Sequence, residues 1–184
     1  MQTWVALIRG INVGGKNILP MATLAEDLRA LEFSNVRTYI QSGNVVFQSE
    51  RGRKKRTAAS DFARRIVETI ENRHGFKPHV LVLRIDEFNK AMDANPFPGA
   101  QSEPKTLHLL FLDSTPKSPD LESLEDARSA TEKFHLDPHV LYLHAPDGIA
   151  RSKFAAKVER ALGVPATGRN WRTVTKIREL AGTI

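Results

Sequence analysis

The chain has 184 residues, 41% of them hydrophobic, and a formal net charge of +6 from 27 Lys and Arg against 21 Asp and Glu. A chain of this length and apolar content folds around its own core, which excludes a disordered or fibrous protein. The absence of cysteine excludes disulfide frameworks, thiolate metal sites and cysteine nucleophiles, and no apolar run reaches the ~18 residues of a spanning helix.

Residues 3–9 are β-branched or aromatic at several positions and end at Gly10, which predicts a strand. Pro20 opens a predicted helix over 21–31, with Leu24, Leu28 and Leu31 on one face. Residues 36–41 and 44–49 are two predicted strands separated by Ser42 and Gly43, the signature of a tight hairpin. Between that hairpin and the next helix, Arg51, Arg53, Lys54, Lys55 and Arg56 account for most of the net charge, so the positive potential is local. Two readings of this run stand: a solvated loop, or a nucleic-acid patch that releases counterions on contacting phosphates. No aromatic residue interleaves it, so base stacking is not implied. Ser60 is the expected cap of a helix ending near His74, with Phe62, Ile66 and Ile70 as its apolar stripe. A strand over 79–85 and a short helix from Asp86 to about Ala94 complete a β-α-β-β-α-β-α order.

The second half repeats that order. A strand over 106–112 is followed by a helix from Ser118-Pro119, a hairpin of 131–136 and 139–144, and a helix over 151–162 closed by Gly163. A short strand at 166–168 leads to a last helix lined by Trp171, Val174, Ile177 and Leu180, with Trp171 expected in the core. Pro96, Pro98, Gly99 and Pro104 mark 95–104 as a linker. The expected fold is α+β: two tandem ferredoxin-like βαββαβ(α) repeats with antiparallel sheets, over 1–94 and 105–184. In each repeat the strand order 4-1-3-2 brings the end of the first strand and the hairpin tip to one sheet edge. It brings the start of the second helix and the end of the fourth strand to the other.

The segments VALIRGINVGGKN, VRTYIQSGNVVF, NPFP, KTLHLLFL, YLHAPDGIARSK and GRNWRTVTKI occur in this order along the chain. Together they resemble the family known as domain of unknown function 1697. The resemblance implies a mainly bacterial protein with the duplicated ferredoxin-like arrangement. The family has no established activity, so it brings no catalytic residues to this chain. Two features depart from its pattern: the basic run at 51–56, in place of an acidic-to-neutral linker, and Gly168, in place of a somewhat larger residue.

The run Gly10–Asn17 (GINVGGKN) fits the G-x-x-x-x-G-K part of a phosphate-binding loop. Asn17 has no hydroxyl for magnesium, Pro20 delays the helix whose N-terminus would face the phosphate, and the expected sheet is not parallel. The remaining readings are a Gly-rich turn, or an anion-binding nest of backbone N–H groups beside Lys16. Hairpin geometry alone accounts for Gln41-Ser42-Gly43-Asn44. Their shared sheet edge nevertheless makes Arg9, Asn12, Gly14, Gly15, Lys16, Gln41, Ser42 and Asn44 candidate ligand contacts. At the opposite edge of the second repeat, Arg151, Ser152, Lys153, Arg169 and Asn170 are expected beside two helix N-termini. Asp147 and Ser152 are also simple capping candidates there.

The histidines show no metal-ligand spacing, and no nucleophile elbow occurs, so neither a metal nor a cofactor is expected. Arg9 cuts short the apolar N-terminal run, which suggests a cytoplasmic protein without a signal peptide and without membrane contact. The favoured expectation is a binding module for an anionic small molecule, such as a phosphorylated one, or for nucleic acid. An enzyme of unidentified reaction and a protein-interaction module are the alternatives, the last requiring an exposed apolar patch. Oligomeric state is not legible.

Overall fold

A computed structural model describes residues 1–50 and 57–184. Arg51, Arg53, Lys54, Lys55 and Arg56, the expected nucleic-acid patch, lie outside the described residues. The order is β1 (Gln2–Arg9), α1 (Met21–Ala30), β2 (Ser34–Tyr39), β3 (Asn44–Ser49), α2 (Thr57–His74), β4 (His79–Arg84) and α3 (Ile85–Asp93). After a 3-10 turn at Pro98–Ser102 come β5 (Leu107–Leu112), α4 (Leu121–Ala127), β6 (Lys133–Asp137) and β7 (Val140–His144). A second 3-10 turn at Ile149–Arg151 precedes α5 (Lys153–Leu162), β8 (Ala166–Asn170) and α6 (Trp171–Ala181).

The fold is α+β, with two four-stranded antiparallel sheets ordered β2-β3-β1-β4 and β6-β7-β5-β8. The chain divides into two compact units, Met1–Lys90 with Lys176–Ile184, and Ala91–Thr175. The last residues of α6 thus group with the first unit, whereas the sequence assigns the whole of α6 to the second repeat.

In the first unit Trp4, Ala6 and Ile8 of β1 join Leu24 and Leu28 of α1 and Phe62, Ile66 and Ile70 of α2 in one core. Strand alternation puts the β1 residues on one face, and helical spacing does the same for the others. Phe33 stacks on Phe47 at 4.3 Å between centroids, and the edge of Phe62 meets both Trp4 and Phe33 at about 5 Å. A buried carboxylate, Asp27 on α1, accepts bonds from Arg73 (2.6 Å) and His74 (2.7 Å) in the last turn of α2. This pairs the two helices without leaving the charge unsatisfied. In the second unit Leu110 and Leu112 of β5 pack with Phe154, Val158 and Leu162 of α5 and with Leu124 of α4. Tyr142 is buried, and its hydroxyl donates to the Ala91 carbonyl at 2.7 Å. Burial, reinforced by the nearby Asp137 carboxylate, pushes the Tyr142 hydroxyl up to about 12.

Several local expectations change. The β2–β3 connection covers 40–43, longer than the two-residue loop expected, because Ile40 turns to φ +47° and leaves the strand. Helix α2 begins at Thr57, so Ser60 lies inside it and is not its cap. Helix α4 is capped by Asp120, whose carboxylate accepts from the Ser123 N–H at 2.9 Å; Ser118-Pro119 precede it. Trp171 is only half-buried at the start of α6, because Val174 and Ile177 occupy that helix's buried face; the fully buried tryptophan is Trp4.

Candidate functional site

At one edge of the first sheet the end of β1, the β2–β3 tip and the start of β4 come together. Leu7 lies opposite Asn44, and Arg9 lies opposite His79. Residues 11–18 form a small finger beyond β1. Its tip is Val13–Lys16, with left-handed φ at both Gly14 (+60°) and Gly15 (+72°) and a Lys16 N–H to Val13 C=O bond of 3.1 Å. That is a type I′ turn, which matches strand twist and requires positive φ at both central residues. A second rung joins the Asn12 N–H to the Asn17 C=O at 3.1 Å. The glycines therefore serve a hairpin tip. No helix begins behind Lys16, since α1 starts at Met21. The phosphate-loop geometry is absent.

Asn12 holds the finger in place. Its amide N–H₂ donates to the Leu19 and Gln41 carbonyls at 2.9 Å each, and its Oδ1 accepts from the Leu19 N–H at 2.8 Å. Asn44 is buried and donates to the Tyr39 carbonyl and the Ser42 hydroxyl at 3.0 Å each. Both amides are taken up by internal bonds, so they shape the edge, whereas Lys16 and Gln41 extend into solvent. Gly43 fits against β1 closely: its carbonyl accepts from the Ile8 N–H at 2.7 Å, and a Cβ there would lie 2.7 Å from the Ile8 carbonyl oxygen.

Segments 9–19, 37–45 and 76–80 carry Arg9, Lys16, Arg37, Lys77 and His79 and no acidic residue. Lys77 is paired with Glu71 at 3.5 Å, and both Arg9 and His79 have partners of their own. Lys16 and Arg37 are exposed and make no ion pair among the described residues.

In the second unit, the β5 register places Leu107 opposite His144 and His108 opposite Asn170. The loops after β7 and after β8 thus reach the same edge of the sheet. Ser152 caps α5, accepting from the Ala155 N–H at 2.9 Å, and Asn170 caps α6, accepting from the Thr173 N–H at 2.9 Å. Asp147 accepts from the Thr131 hydroxyl at 2.6 Å. Arg169 donates to the Gly168 carbonyl at 2.9 Å. Arg151 and Lys153 are exposed without an ion pair among the described residues. Gly168 has no steric need to be glycine, since a Cβ would meet only Leu110 Cγ at an ordinary 3.6 Å.

His108 belongs to no recognisable motif, yet its setting is unusual. It is buried on the α5-facing side of β5, where it alternates with Leu110 and Leu112, and its Nε2 has no hydrogen-bond partner. Burial holds its imidazole below the ordinary range, although a backbone bond at Lys105 pulls the other way. The run TLHLLFL contains the signal, a histidine in phase with core leucines. Among the described residues no histidine and carboxylate group is arranged to hold a metal ion, and no helix is long and apolar enough to cross a membrane.

Among solved structures, the conserved bacterial protein SP0830 from Streptococcus pneumoniae is similar over 98% of each chain, with 23% identity and a TM-score of 0.67. At that identity the likeness concerns the fold alone. No curated protein matches the chain. A family model described as "Protein of unknown function (DUF1697)" matches residues 1–142, which include the finger, the β2–β3 tip and the first unit's sheet. The segments YLHAPDGIARSK and GRNWRTVTKI lie at or beyond the end of that match, yet the matched part is most of the 184 residues, and the chain belongs to the DUF1697 family.

Proposed function

We propose that the chain is a binding module for an anionic ligand and that the finger edge of the first unit is its principal site. The observation that carries this reading is the charge of that edge. Three segments distant in sequence meet there with cations and no acid of their own, Glu71 of α2 pairing with Lys77, and Lys16 stands exposed at the tip of a finger held by Asn12. Pre-existing order in the finger lowers the entropy cost of holding a ligand, and the local positive potential raises its encounter rate. Arg151 and Lys153 at the start of α5 are a secondary anion site, supported by their exposure and by the α5 N-terminus. The repeated strand order further supports a tandem pair of ferredoxin-like units, and the cysteine-free composition supports a cytoplasmic setting.

Amide NMR during titration with tripolyphosphate tests the site. Shifts concentrated at residues 13–16 and 40–43, and lost in Lys16→Gln, are expected. Shifts absent from both edges, or unchanged by Lys16→Gln, would overturn the reading.

A further inference from the structure

We infer that the finger edge docks an acidic, apolar segment of a partner protein, which names the ligand class for the anion-binding reading above and rests on it. The described residues include five exposed large hydrophobic side chains, and three of them stand on this edge: Val13 (67% exposed), Ile18 (71%) and Ile40 (48%). Val13 and Ile18 belong to the finger. Ile40 belongs to the β2–β3 tip, which the Asn12 to Gln41 bond joins to the finger. Ile11, at the base of the same finger, is buried, so the finger sends one isoleucine into the core and the other to solvent.

Ile40 carries a second mark. It holds a left-handed φ of +47°, a conformation that glycine or asparagine adopts readily and a β-branched residue does not. An isoleucine in that position with about half of its side chain left to solvent is a folding liability. A surface that buries it supplies the offset.

The surrounding charge selects the partner. Lys16 makes no ion pair among the described residues, and the three segments that form the edge contain no acid of their own, Glu71 of α2 being taken up by Lys77. A free phosphate would leave the aliphatic side chains wet. A single-stranded nucleic acid would call for aromatic platforms, but Phe76 packs against the core and Tyr39 is only partly exposed. Leucine-like and carboxylate side chains together match both components of the edge.

Fluorescence anisotropy on the full chain tests the proposal with three labelled probes: a peptide alternating Leu and Glu, one alternating Ser and Glu, and oligothymidine. The Leu–Glu peptide is expected to bind at least about tenfold tighter than the Ser–Glu peptide, from burial of one to two aliphatic side chains. The double variant I18S/I40N is expected to abolish that preference. Asn suits the left-handed position, and circular dichroism verifies the variant's fold. K16Q should weaken both peptides. Equal binding of the two peptides, or a preference untouched by I18S/I40N, overturns the docking inference while leaving an anion site in place. Tighter binding of oligothymidine than of the Leu–Glu peptide overturns it in favour of nucleic acid. If neither these probes nor tripolyphosphate bind, the anion reading falls with it.

Discussion

Replacing Gly43 by Ala tests how the β2–β3 tip is held against β1. Gly43 sits at φ +75°, where an L-residue costs roughly 1–2 kcal/mol. The added methyl would also stand 2.7 Å from the Ile8 carbonyl oxygen, 2.8 Å from Ile8 Cβ and 3.0 Å from Ile11 Cδ1. The first of these is backbone of β1, an inner strand paired on both sides, and both isoleucine side chains are buried, so the neighbours cannot give way. Relief requires the tip to lift, which stretches the 2.7 Å bond from the Ile8 N–H to the Gly43 carbonyl. Overpacking of this kind adds about 1–3 kcal/mol, for a total of about 3 kcal/mol or more. In a unit of this size that is a fall in Tm on the order of 15 °C. Gly14→Ala is the internal control: its φ is +60°, but no atom lies within 4 Å of where the methyl would stand, so strain alone applies and the loss is about 1 kcal/mol. Urea and thermal unfolding of both variants measure the difference. Equal losses for Gly43→Ala and Gly14→Ala would refute the close-approach argument.

Ile40→Asn should raise stability by about 0.5–1 kcal/mol, because it relieves a left-handed isoleucine that is half in solvent; a lower urea midpoint would contradict this. Asp27→Asn should cost about 2 kcal/mol or more by unpairing Arg73 and His74 from a buried acceptor, and a change under about 0.5 kcal/mol by urea unfolding would show the pair to be dispensable. His108 titrates below its unfolded value, so below about pH 6.5 the unfolded chain binds a proton that the folded chain resists. Its contribution is therefore present above that pH and lost as the pH falls. The urea midpoint should decline between about pH 7.5 and about pH 5.5, and less steeply in His108→Gln; an equal slope in the variant would remove His108 as the cause.

Much of the fold was legible because it rests on short-range physics. Short runs of apolar residues identified β1, β5 and β7, the spacing of Phe62, Ile66 and Ile70 identified α2, and Gly163 marked the end of α5, where it indeed takes a left-handed conformation at φ +67°. The repeated element order also implied that the end of β1 and the hairpin tip share an edge, which the pairing of Leu7 with Asn44 bears out. What each polar residue does at that edge depended on groups brought close by the fold. Asn12 reads as a ligand contact until the carbonyls of Leu19 and Gln41 take up its amide, and Asn44 until the Tyr39 carbonyl and the Ser42 hydroxyl do the same. Ser152 and Asn170 have the same ambiguity, since a capping oxygen and a ligand-binding oxygen are the same atom type until a backbone N–H is placed beside it. No local pattern predicts a left-handed isoleucine, because propensity argues against it. It is visible only in the folded β2–β3 tip, where Gly43 lies against Ile8 and Ile40 turns left-handed.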